Sequence, residues 1–423
     1  MVALLKKLRY NKPVPGGMDL YSVYHLPGID FERKVDQMKN WKKLSAFILA
    51  GSMMLSLAAC GGGSAAQSPA PSDSAPSEST APESETPTGK IALVTDVGTI
   101  DDESFNQACW QGVEAYGKAN NIEYQYYQPA ADSTDDRMAS IRQAVSEGAS
   151  VIVMPGYLFG EAVVQAQEQF PDVKFIAIDV GEGDLGGATL ADNAYCAVFG
   201  EEQCGFLAGY GAVEDGYTSL GFLGGIAVPA VVRYGYGYIQ GINAAAEEMG
   251  TDVTVNYTYG GQFFGDANIT AKMEGWYQSG TQVVFACGGG IWTSAVEAAL
   301  KNNGQVIGVD VDQHYLGENA DYAYNPFITS AMKGLQAATE SALDKYFSGN
   351  WADLGGKIET LNLQAGDSYV GLPTDDASWG FKTFSKDQYE AEKAKIADGT
   401  VTVSNDIDNV PTVGSHVTLN IIE

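Results

Sequence analysis

The chain has 423 residues, with 24 Lys and Arg against 53 Asp and Glu and a formal net charge of −29. So acidic a molecule excludes nucleic acid and anionic lipid as partners of its working face, and favours a neutral ligand over an anionic one. Residues 90–423 exceed one ordinary core and suit two lobes.

The N-terminus divides into three segments. Residues 1–37 mix polar, aromatic and oppositely charged side chains and do not fit a signal peptide; they are expected to be a gene-prediction extension, with Met38 the true start. From Met38, the lysines Lys39, Lys42 and Lys43 precede an apolar, small-residue run that ends Leu57-Ala58-Ala59-Cys60. That is the shape of a secretory signal over 38–59, and the run is too short for a comfortable transmembrane helix. The tetrapeptide resembles a bacterial lipobox, which implies lipidation of Cys60. Residues 60–89, rich in Ser, Pro, Ala and Gly, have too little apolar surface to offset ordering entropy and read as a disordered tether. The location expected is the outer face of the cell membrane, or the periplasm if the cell has an outer membrane.

The body of the chain alternates strand-like and helix-like runs. Apolar residues 91–94 break at Thr95-Asp96 into a polar loop, and a helix is predicted over 105–120 behind Ser104, the expected N-cap. Further strands are expected at 122–127, 150–155, 174–179, 219–224, 253–257, 282–287 and 305–310. Helices are expected at 133–147, 159–170, 198–213, 231–249, 266–279, 293–303 and 331–347. Strands separated by helices predict right-handed βαβ units, parallel sheets and an α/β fold. Asp96, Asp179 and Asp310 each close a buried-type strand run, at the sheet edge where open α/β sheets take small ligands.

Few residues suit catalysis. Past the leader only His314 and His416 remain, in no triad or metal spacing, and no cofactor or metal is expected. Asp101 and Asp102 read more simply as partners of a helix N-terminus than as an acid/base pair. The cysteines Cys109, Cys196, Cys204 and Cys287 show no CxxC spacing and read as buried thiols, with a Cys196–Cys204 bridge the lesser alternative. Gly288-Gly289-Gly290 matches no phosphate-loop spacing and reads as a tight turn lining a crevice. Phe105 and Tyr234 stand at the ligand edge of predicted βα units and are placed to face a planar ring.

The segments VTDVGTIDDESFNQACWQG (94–112), GFLGGIAVPAVVRYGYGYIQG (221–241), VIGVDVDQ (306–313) and ITSAMK (328–333) resemble, in order, the motifs of the basic membrane protein family of ABC-transporter solute-binding lipoproteins, known best as purine nucleoside receptors. The resemblance implies a type I periplasmic-binding-protein fold: two doubly wound α/β lobes joined by a three-crossover hinge. It assigns 90–193 plus about 313–350 to the first lobe and 194–312 plus about 351–423 to the second, with crossovers at Asp192-Asn193 and around 313–326. It also implies ligand contacts: Phe105 and Tyr234 on the two faces of a base, and Asp179 on base nitrogens. Asp96 and Asp310 would take ribose hydroxyls, helped by Asn106, the Gly289 backbone and Lys333. The sequence GGGIWTS departs from the small residues usual there, and Trp292 either reshapes the pocket or packs beneath the hinge. The implied role is a binding protein, not an enzyme, that delivers a nucleoside to an ABC permease and its ATPase, held to the membrane by its lipid. The alternatives are a receptor for another planar or sugar-like solute, a sensor, and a nucleoside hydrolase.

Overall fold

A computed structural model describes residues 89–422, so the leader, Cys60, the upstream segment 1–37 and all but the last residue of the tether lie outside it. The described residues belong to one compact unit, and none of their helices is long and apolar enough to cross a membrane. Strands β1 (Lys90–Val94), β2 (Tyr124–Tyr127), β3 (Ala149–Pro155), β4 (Lys174–Ile178) and β5 (Ala194–Phe199) alternate with helices α1 (Phe105–Asn120), α2 (Thr134–Ser146) and α3 (Gly160–Gln169). Helices α4 (Glu201–Glu214), α5 (Pro229–Met249), α6 (Ala267–Gln278) and α7 (Trp292–Asn302) then alternate with β6 (Ser219–Gly224), β7 (Val253–Tyr259), β8 (Val283–Cys287) and β9 (Gln305–Asp310). The last elements are β10 (Phe327–Lys333), α8 (Leu335–Phe347), β11 (Ile358–Leu361), β12 (Val370–Gly371), α9 (Lys386–Ala397) and β13 (Val417–Ile421).

The strands form two sheets, ordered β11-β5-β4-β3-β1-β2 and β12-β10-β9-β8-β6-β7-β13. Every pairing is parallel except β10 with β12, as expected of sheets covered by helices on both faces. The composition follows from position. The central strands β1 and β8, KIALV and VVFAC, are buried throughout, whereas β2, β11 and β13, at sheet edges, leave most of their residues partly or fully exposed and carry Gln, Glu, Thr or Asn.

The chain changes sheet three times, but not at the expected positions. Residues 194–199 form β5 of the first sheet rather than the start of the second lobe. Asn193 is no crossover: its side-chain amide donates to the carbonyls of Gln167, Phe170 and Val173, closing a loop of the first lobe. The chain first crosses at Gly200, between β5 and α4. Segment 313–326 stays with the second sheet, because β10 pairs with β9, and the second crossing comes after Lys333. This also shortens the helix expected over 331–347, whose first three residues complete β10. Strand β11 returns to the first sheet beside β5, and the third crossing lies between β11 and β12.

Helix α4 is buried from Glu201 to Val213. It packs against α5 so closely that four glycines are required. A Cβ on Gly205 or Gly209 would lie 2.3 Å from the carbonyl oxygen of Tyr234 or Tyr238, and one on Gly237 or Gly241 would lie 2.1 or 2.0 Å from that of Glu202 or Phe206. Those contacts are backbone, which cannot rotate away. The crossing brings Arg233 and Tyr234 of α5 beside Glu201, the first residue of α4.

Candidate functional site

The carboxyl ends of both sheets face one cavity of about 130 Å³. A buried water needs roughly 10–15 Å³ on the same measure, so the space suits a small organic molecule. From the first lobe come Asp96, Phe105, Asn106, Tyr157, Asp179 and Asp184. From the second come Arg233, Tyr234, Phe263, Gly289, Asp310 and Lys333. The three strand-terminal aspartates thus meet in one place.

Two of them do so through unusual backbone. Asp179 and Asp310 have φ of 59° and 66°, the left-handed region that branched or bulky residues avoid. Such strain is held where the surrounding structure fixes it, commonly at functional sites. Here it follows immediately on β4 and ends β9, where the chain must turn away from the sheet.

The loop after β1 is held by carboxylates. Asp96 Oδ1 accepts from the Gly98 N–H (2.7 Å) and from Asn106 Nδ2 (2.9 Å). Asp102 accepts from the N–H groups of Ser104, Asn106 and Gln107 at 3.0–3.1 Å, and from the Asn106 side chain at 3.1 Å. Asp102, not Ser104, therefore caps α1. Ser104 makes no side-chain cap, because its hydroxyl donates across the cleft to Asp310 Oδ2. Burial raises the Asp96 and Asp310 carboxyls above the ordinary aspartate range and lifts Asp102 to about 6.

An ionic network forms the floor. The Lys333 ammonium contacts Asp179 Oδ2 and lies 3.1 Å from Glu201 Oε1; Glu201 in turn accepts from Arg233 Nε at 2.6 Å. Burial alone would lower the Lys333 pKa, but Asp179, Glu201 and Asp310 together hold it above the usual lysine value. The Asp179 pKa is raised as well, to about 7: burial and the Glu201 charge lift it, only partly offset by Lys333. The second Asp179 oxygen, Oδ1, is buried with no hydrogen-bond partner. A buried acceptor left open is costly, and a donor on a ligand would satisfy it.

The aromatic residues take different roles. Phe105 is half-buried at the cavity wall, with the Lys333 ammonium 4.9 Å from its ring centre. Tyr234 lines the same cavity, but its hydroxyl donates to Asp310 Oδ1 at 3.3 Å and its ring packs edge-on against Phe285. Trp292 is not at the cavity. It packs on the far side of the second sheet against Phe327, in a cluster that includes Leu316 and Tyr322. The turn Gly288-Gly289 does reach the cavity, with φ of 139° and 50°. A Cβ on Gly289 would lie 2.9 Å from the Phe263 carbonyl oxygen.

Arg233, Phe263, Tyr157 and Asp184 line the cavity without a sequence signal of their own. Arg233 adds a second cation where the sequence offers only Lys333, and its adjacency to Tyr234 is the one clue in the chain. Cys109, Cys196, Cys204 and Cys287 are all buried and free. Among the described residues no group of three or more His, Cys, Asp and Glu is arranged to hold a metal ion.

The chain is similar to known proteins in sequence and in fold. A protein of Lactococcus lactis subsp. cremoris, the ABC transporter nucleoside-binding protein BmpA, is 30% identical over 332 residues, covering 74% of this chain and 88% of its own. The CD4+ T-cell-stimulating antigen of Listeria monocytogenes is 30% identical over 330 residues, covering 74% and 87%. An ABC transporter solute-binding protein of Aeropyrum pernix superposes with a TM-score of 0.63 at 22% identity, over 76% of this chain and 95% of its own, a likeness of fold. Residues 90–405 match the Bmp family, described as ABC transporter substrate-binding protein PnrA-like. With the family model matching residues 90–405 and a relative 30% identical over 74% of the chain, the protein belongs to the Bmp family of ABC-transporter substrate-binding proteins.

Proposed function

We propose that this substrate-binding protein captures a purine nucleoside between its lobes, without altering it, and delivers it to an ABC permease and its ATPase. The observation that carries the reading is the unpartnered Asp179 Oδ1 in a cavity that also holds Asp96, Asp310 and the face of Phe105. Carboxylates suit the donors of a base and of ribose hydroxyls, and the nucleoside-binding Lactococcus relative supports that ligand class. In this reading Phe105 stacks on the base and Asp179 accepts from its nitrogens. Asp96, Asp310, Asn106, Gly289 and Lys333 surround the sugar. Tyr234 closes the opposite side and orients Asp310 through its hydroxyl. Five carboxylates against two cations in the lining disfavour a phosphate, so nucleotides are expected to bind much more weakly than nucleosides.

The test is a thermal-shift and calorimetry panel of nucleosides, nucleotides, free bases and sugars. A nucleoside at 100 times its dissociation constant is expected to stabilise the protein by roughly 2.7 kcal/mol. A shift by a sugar alone would replace the nucleoside with a sugar-like solute, and release of free base would make the protein a hydrolase.

The placement at the membrane belongs to the same proposal: a signal over 38–59 beginning at Met38, diacylation of Cys60, and 60–89 as spacer. Two acyl chains hold a protein stably where one is marginal. Cys60→Ser is expected to release the protein from the membrane fraction, and unchanged partition would refute the anchor.

A further inference from the structure

Arg233 is placed unlike any other cation in the described residues. It follows directly on the first turn of α5, its side chain is 16% exposed, and it lines the cavity. One of its five N–H donors, Nε, is bound to the fully buried Glu201. The described residues hydrogen-bond nothing else on the guanidinium, so its terminal N–H groups are unpaired in a residue that lines the cavity. Glu201 links the guanidinium to Asp179: the other Glu201 oxygen lies 3.1 Å from the Lys333 ammonium, which contacts Asp179, and Arg233 and Asp179 both line the cavity. Glu201 anchors the guanidinium through Nε. The lining of the cavity therefore offers both an open carboxylate oxygen, Asp179 Oδ1, and the unpaired planar donors of Arg233, joined through Glu201 and Lys333.

We infer that Arg233 and Asp179 read the edge of the base and make the site selective for 6-oxopurine nucleosides over 6-aminopurine nucleosides. The inference rests on the nucleoside reading above. A 6-oxopurine presents two adjacent acceptors, O6 and N7, which a guanidinium engages with paired N–H bonds. Next to them it presents the N1–H donor, and in guanine the 2-amino donor, either of which satisfies a carboxylate. Adenine reverses the pattern: its 6-amino group would face the guanidinium, donor against donor, and its N1 would face the carboxylate, acceptor against acceptor. A pyrimidine has no N7 and offers the arginine one acceptor at most. Lys333 does not fill the role, because its ammonium is already taken by Asp179 and Glu201.

The experiment measures the affinities of guanosine, inosine, adenosine and 7-deazaguanosine for the purified domain by calorimetry, in the wild type and in Arg233→Lys. The lysine keeps a positive charge beside Glu201 but lacks the paired donors. Guanosine and inosine are expected to bind about tenfold or more tighter than adenosine, the discrimination ordinary for one bidentate base contact. 7-Deazaguanosine, which lacks only the N7 acceptor, should bind several-fold weaker than guanosine. Arg233→Lys should bring the guanosine-to-adenosine ratio close to one. Equal wild-type affinity for adenosine and guanosine, or a ratio unchanged in Arg233→Lys, overturns the assignment and leaves the nucleoside reading standing. If the variant does not fold, the 7-deazaguanosine comparison decides in the wild type: equal binding overturns the assignment. Failure of all four compounds to bind overturns the nucleoside reading and this inference with it.

Discussion

At the residue scale, individual side chains in the cleft do two things at once. Ser104 stands where a helix cap is expected, yet its hydroxyl reaches Asp310 of the other lobe while Asp102 holds the helix N-terminus. Asp102→Ala is expected to cost about 1 kcal/mol in denaturant unfolding, the usual value of a lost cap, and Ser104→Ala a similar amount through the donor lost to the buried Asp310 rather than through the helix end. Tyr234 is likewise more than a ring. Its hydroxyl serves Asp310, so Tyr234→Phe should weaken ligand binding measurably by calorimetry rather than leave it unchanged. Phe105 has no comparable hydrogen-bonding duty, and Phe105→Ala should cost on the order of 1–3 kcal/mol in affinity, the range for base–aromatic stacking. Wild-type affinity in that variant would remove the stacking surface from the proposed site. The strand-terminal aspartates were legible because a buried strand that ends in a carboxylate is a one-dimensional pattern. Arg233 was not, since only the α4–α5 crossing turns it toward Glu201. Trp292 stood three residues from a cavity-lining glycine turn, but the first turn of α7 points its indole to the outer face of the sheet.

At the element scale, most of the strand–helix alternation could be read from buried apolar runs, and the parallel sheets agree with it, but β5, β10 and β11 were not expected as strands. Which sheet a strand joins could not be read. Strands β5 and β10 are as apolar as their neighbours, and nothing in their composition distinguishes a strand before a crossing from one after it. The decisive contacts are long-range, such as the pairing of 194–199 with 358–361. The α4–α5 crossing has a sharper signature in its glycines. Gly209→Ala should destabilise the protein by roughly 1–3 kcal/mol or more, the cost of forcing a methyl group into a packed core. Unfolding of the second lobe is where that loss should be read, by chemical denaturation. A variant as stable as wild type would show that the two helices separate without penalty.

At the scale of the whole molecule, the clustered carboxylates set the response to pH. Burial lifts Asp102 to about 6, and burial with the Glu201 charge lifts Glu202 to about 7, from ordinary values of 3.8 and 4.5. Asp96, Asp179 and Asp310 shift in the same direction, while Glu201 is held low by Arg233 and Lys333 against its own burial. Between the ordinary and the raised values the folded protein binds more protons than the unfolded chain. Its stability therefore falls as pH rises through that window, and the contribution is fully present only below it. The unliganded protein should melt at a higher temperature at pH 5.5 than at pH 7.5, measured by calorimetry in matched ionic strength. A melting temperature that rises over that interval would show that the cleft carboxylates do not govern it. A ligand that donates hydrogen bonds to these groups should narrow the difference.

The return of β11 to the first sheet has a consequence for biosynthesis. While the chain emerges from a ribosome or a translocation pore, the first lobe can assemble five of its strands, but its β5 border stays open until Leu361 has appeared. An unpaired strand border is a template for association with other chains. Nascent chains and truncated products ending before Ile358 should therefore be recovered as aggregates or chaperone-bound species, even though they contain nearly all of the first lobe. Folding of the first lobe is accordingly least hazardous when it is deferred until Leu361 has emerged.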